Sequence, residues 1–280
     1  MRILVTNDDG IDSVGLHVLA RAICDLDGDH EVIVVAPDKE YSGAGAALGA
    51  LHELKPEIVR ASIPDCDVEA WTVNGPPGLC VMFTRLGAFG GPFDLIVSGI
   101  NPGANVGRAV YHSGTIGACL TGRNGNVSGI AVSQAVSGWS VEGQAWDELI
   151  IDQHWETAAE CAKVMAQALV DDMPTETVVV NLNVPDVTVE EIKGWRHAEV
   201  GMQPPRTVAA AELEPIDGRD GAFKVTMQWG EKLDLDPDTD AGLVETGYVS
   251  VTYLSRLVHE DRPDLAHADK ALASLLRQVG

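Results

Sequence analysis

Five short and mostly apolar runs recur along the first two thirds of the chain: Ile3–Thr6, Val32–Ala36, Leu95–Ser98, Gly129–Ser133 and Val178–Asn181. A strand that is apolar at nearly every position has no face to offer water, so it belongs in a parallel sheet covered by helices on both sides. The stretches between the runs supply those helices. Leu16, Leu19, Ala20 and Ile23 fall at i, i+3, i+4 and i+7, behind Asp12 or Ser13 as an N-cap. Helical patterns also cover Leu79–Leu86, Gly114–Arg123 and Trp155–Leu169. The expected fold class is therefore α/β, a mostly parallel sheet with helices on both faces.

Two segments depart from that alternation. Leu51–Val73 reads as a hairpin, with period-two alternation around Ile58-Val59-Arg60 and Ala70-Trp71-Thr72-Val73. From Gly194 to Val251 short strands and acidic loops dominate, and Leu265–Val279 carries an amphipathic helical pattern. We expect residues 1–190 to form the α/β core and 191–280 a β-rich extension, with its terminal helix packed on the same domain.

The formal net charge of -23 argues against a protein that grips a nucleic-acid backbone, which needs clustered Lys and Arg. Such a surface also repels a small phosphate ester, so an anionic substrate requires a local cation to reverse the field. The five cysteines form no C-x-x-C pair and no zinc-type cluster, and they read as reduced core thiols. No apolar stretch is long enough for a membrane span and no signal-peptide pattern opens the chain, which makes a cytoplasmic protein the expectation.

Ligands of open α/β sheets bind at the carboxyl ends of the strands. Asn7-Asp8-Asp9-Gly10 follows the first strand, Ser42-Gly43 lies beyond the second, and Ser98-Gly99-Ile100-Asn101 ends a later one. Together they bring two carboxylates, a hydroxyl and an amide oxygen to one rim. An all-oxygen set of this kind suits Mg²⁺, Mn²⁺ or Ca²⁺ and not a thiolate-loving metal. A dinucleotide fold would carry G-x-G-x-x-G after the first strand, where this chain has two acids.

Tyr111-His112-Ser113-Gly114-Thr115 runs into a predicted helix, so the hydroxyls and N–H groups of Ser113, Gly114 and Thr115 are placed to cradle a phosphate at its positive end. Asn105 adds a possible donor. His112 and His17 read as structural or surface histidines, and Trp71, Trp155 and Trp195 as core or subunit contacts.

These motifs carry a resemblance. The opening Met1–Ile11, Val35-Ala36-Pro37-Asp38 with Ser42-Gly43, Ser98–Asn101 with Gly103, Asn105 and Gly107, Ser113-Gly114-Thr115 with Gly122-Arg123, Asn181–Pro185, Thr239-Asp240 and Gly247–Thr252 resemble, in order, the motifs of the SurE family. The resemblance implies a Rossmann-like core and a C-terminal hairpin used in oligomerisation, as a homodimer or homotetramer. It implies one divalent ion per subunit, Mg²⁺ or Mn²⁺, held by Asp8, Asp9, Ser42 and Asn101, with Asp8, Asp9 and Asn101 in the catalytic set. The implied activity is hydrolysis of nucleoside monophosphates to nucleoside and phosphate. Thr121 and the segment Asn74–Cys80 depart from the family pattern and bear on substrate choice. A phosphatase of another small phosphate compound, such as short polyphosphate, and a non-catalytic nucleotide- or metal-binding protein are the alternative readings. Whether Asp9 is a ligand only or also a nucleophile stays open at this point.

Overall fold

The computed structural model describes residues 1–49, 55–136, 150–203, 206–258 and 261–276. The chain opens with β1 (Arg2–Thr6), α1 (Val14–Cys24) and β2 (Glu31–Pro37). A hairpin follows, β3 (Ile58–Ile63) and β4 (Cys66–Val73), then α2 (Pro77–Arg85), β5 (Leu95–Pro102), α3 (Gly114–Arg123) and β6 (Ser128–Gln134). After α4 (Trp155–Asp171) come β7 (Val179–Val184), β8 (Trp195–His197), β9 (Arg206–Pro215), β10 (Phe223–Lys232), α5 (Asp240–Glu245), β11 (Val249–Leu254) and α6 (Ala266–Leu275). The Leu51–Leu54 start of the expected hairpin and the last residues of the expected terminal helix lie outside the described residues.

Among the described residues, nine strands form one sheet in the order β3-β4-β2-β1-β5-β6-β7-β11-β8. The pairs from β4 to β7 are parallel. β3 on β4 and β11 on β7 are antiparallel additions toward the two ends. The buried residues of β6 and β7 run without a gap, as a doubly covered strand requires. Alternate residues feed two cores. Val5, Val97, Ile130 and Val180 pack with α1 and α4, while Leu4, Ile96, Ala131 and Val179 pack with α2 and α3. β8 and β11, from beyond residue 190, lie in the same sheet as the strands before it. β9 and β10 form a separate antiparallel pair. No helix among the described residues is long and apolar enough to cross a membrane.

Strand order reverses at β1, which has β2 on one side and β5 on the other. The connections therefore diverge from the carboxyl ends of β1 and β5 and leave a crevice there. Ser13 caps α1 by accepting a hydrogen bond from the Leu16 N–H at 3.2 Å. The first turn of α1 then crosses directly under the end of β5. A Cβ on Gly15 would fall inside contact with the Ile100 carbonyl oxygen and 3.2 Å from the Trp155 ring.

Gly15→Ala tests this close approach. In an exposed helix the change stabilises by roughly 1 kcal/mol. Here the methyl group has no room, and we expect the opposite sign, a loss of about 1–3 kcal/mol, the usual range for overpacking. Urea denaturation of the two proteins measures it, and an alanine variant as stable as the parent would contradict the packing.

Candidate active site

The Asp8 side chain is buried at the crevice, and its residue is 2 % exposed. Its Oδ1 accepts the Thr115 hydroxyl proton at 2.5 Å, and its Oδ2 accepts the Gly114 N–H at 3.0 Å. The first N–H groups of a helix have no partner inside it, and its N-terminus carries partial positive charge. Asp8 therefore meets both needs of α3. Glycine at 114 is what permits the approach, since a Cβ there would stand 2.6 Å from Asp8 Oδ2.

Thr115 has one proton to give and faces two acceptors, Asp8 Oδ1 and, at 3.3 Å, Asn101 Oδ1. The shorter contact, to the carboxylate, takes the proton, which leaves Asn101 Oδ1 without a donor from Thr115. The amide is fixed in that sense because its Nδ2 donates to the Gly103 carbonyl at 2.6 Å and the Pro102 carbonyl at 3.3 Å. β5 reaches this point through an irregularity in its pairing with β6 between Ser98 and Asn101. Such a break re-aims the side chains that follow it.

Asp9 is the contrasting neighbour. Its Oδ2 is closed off from solvent and has no hydrogen-bond partner. Burial, followed by the charges of Asp8 and Glu40, holds the Asp9 carboxyl well above the usual carboxylate range. Burial also raises Asp8, opposed by the Thr115 hydroxyl and the backbone of Gly114 and Thr115. The orphaned carboxylate oxygen of Asp9 and the under-supplied amide oxygen of Asn101 are donors of the kind a hard cation takes. No group of three or more His, Cys, Asp or Glu side chains is placed to hold a metal among the described residues. The expected set contains only two acids, Asp8 and Asp9, so its remaining donors are neutral oxygens.

Ser42 comes to the same rim on a loop tied down at both ends. The Tyr41 N–H donates to the Asp8 carbonyl at 2.7 Å, and the Gly45 N–H to the His112 carbonyl at 2.9 Å. The Ser42 hydroxyl itself is exposed and donates to the Glu40 carboxylate at 2.8 Å. Glu40 was not legible as part of the site. It is one acid among 42, and only the fold places its charge beside Asp9.

The groups expected to cradle a phosphate are all committed to partners within the chain. Gly114 N–H and the Thr115 hydroxyl face Asp8, and Ser113 caps α3 by accepting from the Ile116 N–H at 3.1 Å. Asn105 is buried, and its Nδ2 donates to the Ser133 hydroxyl at 2.9 Å. Its backbone is held by Asn181 and Asn183. Asp240, fully buried, accepts from the N–H groups of Gly107 and Gly201 at 2.9 Å each and so anchors the loop that carries Asn105.

The family model described as "Survival protein SurE" matches residues 3–206. The chain is 36% identical over 259 residues to "5'/3'-nucleotidase SurE" of Erwinia tasmaniensis, covering 91% of this chain and 90% of that protein. It is 38% identical to the protein of the same name from Cronobacter sakazakii, with the same coverage. "5'-nucleotidase SurE" of Haemophilus influenzae is 36% identical over 256 residues, 90% of each chain. Among solved structures, the SurE protein of Aquifex aeolicus superposes with a TM-score of 0.70 at 26% identity, covering 97% of this chain and 99% of that one.

Asp9→Asn separates binding from stability. A buried carboxylate with an unpartnered oxygen costs free energy when ionised, about 1–3 kcal/mol, and an amide of the same shape removes the charge. We expect the metal-free variant to melt above the metal-free parent at neutral pH. Because the folded-state pKa of Asp9 lies above its unfolded value, the cost is present above that raised pKa and fades as pH falls through it. The gap between the two melting curves should therefore narrow on acidification. A variant that melts lower than the parent at neutral pH would contradict the assignment.

Proposed function

The chain belongs to the SurE family, and from that we propose that it is a metal-dependent phosphomonoesterase, a 5'/3'-nucleotidase that hydrolyses nucleoside monophosphates to nucleoside and phosphate. The observation that carries the reading is the buried, unpartnered Oδ2 of Asp9, the chain neighbour of an Asp8 that meets the Thr115 hydroxyl together with Asn101, at the crevice where strand order reverses. Asp8, Asp9 and Asn101 would hold Mg²⁺ or Mn²⁺, joined by Ser42 once its hydroxyl turns from Glu40. A bound cation supplies the positive charge that draws in the phosphoryl group and stabilises the charge developing as the ester bond breaks.

The chain's own residues divide the remaining work. Asp8 is immobilised by α3 and fixes the geometry of the rim. Asp9 keeps an oxygen without a partner, which suits it to orient the attacking water or to attack phosphorus itself. We place the phosphate side at Asn105, Ser113, Gly114 and Thr115; because the Gly114 N–H and the Thr115 hydroxyl stay on Asp8, the attraction there comes from the positive end of α3 and not from those two donors. The net charge of -23 makes this local reversal of field necessary for an anionic substrate.

We assign the β9–β10 pair to self-association into a homodimer or homotetramer. Leu213, Phe223, Val225 and Met227 on it are all more than half exposed. A two-stranded ribbon with an open apolar face is marginally stable in water until something covers it.

Phosphate release from a panel of nucleoside monophosphates, sugar phosphates and short polyphosphate, with chelator or with added Mn²⁺ or Mg²⁺, tests the activity. Nucleotide turnover should require metal and fall by at least a hundredfold in Asp8→Asn; release from polyphosphate alone, or turnover in chelator, would contradict the reading. Light scattering at micromolar protein should give a dimer or tetramer. A monomer would overturn the role of the hairpin.

A further inference from the structure

The reading of the five cysteines as core thiols describes Cys80 and Cys119, which are fully buried. Cys24 and Cys66 are different. Cys24 is the exposed last residue of α1, and Cys66 is the half-buried first residue of β4. Forty-two positions apart in sequence, their Sγ atoms lie 3.4 Å from each other. A disulfide needs about 2.05 Å, so closure asks for little more than 1 Å of approach, at two residues that each end an element. The two elements are also held together independently. The Arg21 guanidinium lies 3.4 Å from the Pro64 carbonyl in the turn between β3 and β4.

We propose that Cys24 and Cys66 form an oxidisable pair that closes to a disulfide, with Cys24 as the entry thiol for a low-molecular-weight disulfide and Cys66 as the resolving thiol. The Cys24 thiolate attacks one sulfur of the small disulfide, forming a mixed disulfide and releasing one small thiol. The Cys66 thiolate then attacks Cys24 Sγ and expels the second small thiol. Two protein thiols are oxidised, one small disulfide is reduced, and the two protons leave with the two released thiols.

The bond would enclose residues 24–66, a ring containing β2 and the loop that carries Ser42. It would pin the β3–β4 hairpin, at the end of the sheet, to α1. A cross-link of this kind restricts the unfolded chain and so favours the folded one. Burial, and the contact with Cys66, push the Cys24 thiol up to about 12. Thiolate is therefore scarce at neutral pH, which makes the exchange slow and its rate rise with pH. The pair behaves as a staple set once under oxidising conditions and not as a fast sensor.

The test uses the full chain, folded, with oxidised glutathione at mildly alkaline pH. Thiol titration should show the loss of two thiols per chain, non-reducing peptide mapping should find Cys24 linked to Cys66, and the melting temperature should rise by several degrees. In Cys66→Ser a glutathione adduct should remain on Cys24; in Cys24→Ser neither adduct nor cross-link should form. Matching melting curves in reductant establish that both variants fold. Unchanged thiols, cross-links only between chains, or Cys66→Ser without an adduct would each overturn the proposal.

Discussion

Asp8 sits where three separate parts of the chain must agree. Its carboxylate caps α3 from more than a hundred residues away, through the Gly114 N–H and the Thr115 hydroxyl. Its carbonyl accepts the Tyr41 N–H that holds the Ser42 loop. An ionised carboxylate at this depth would cost several kcal/mol without partners, and charge-assisted hydrogen bonds with a helix end are the means of offsetting that cost. Removing any one of these donors loosens the register between β1, α3 and the loop after β2. The site's geometry is thus built into the fold and does not wait for a ligand to impose it.

That satisfaction stops one residue later. Asp9 follows Asp8 in the chain, shares its desolvation, and lacks its donors. Two adjacent acids with unequal partners give one rigid support and one high-energy oxygen, while Thr115, shared between Asp8 and Asn101, cannot fully supply the Asn101 amide. Functional sites often hold local instability that the surrounding packing sustains. Here the sustaining element is the two-sided core under β1, β5 and β6, whose residues are almost wholly buried.

Much of this was legible in the sequence because it rests on local signals. α3 has the bounds of the helical pattern expected over Gly114–Arg123, and the apolar runs of β1, β2 and β6 could only be doubly covered strands. β5 ran on past its expected end at Ser98 to Pro102. Gly99, Asn101 and Pro102 are poor strand formers, and pairing with β6 overrides that preference. Asp8, Asp9 and Asn101 could be placed on one rim from strand ends alone. The division of labour among them could not, because it depends on contacts such as Thr115 to Asp8 and Ser42 to Glu40, which no spacing rule encodes. The pairing of Cys24 with Cys66 was hidden for the same reason.

We propose that Asp9 Oδ2 and Asn101 Oδ1 are left short of donors for a cation that the docked Asp8 positions. Crystals grown with Mn²⁺ and measured for anomalous scattering test it most directly. The account predicts one strong peak per chain in contact with Asp8, Asp9 and Asn101, with the Asp8 contact to Gly114 retained. A peak away from Asp9, or none at millimolar Mn²⁺, would contradict it.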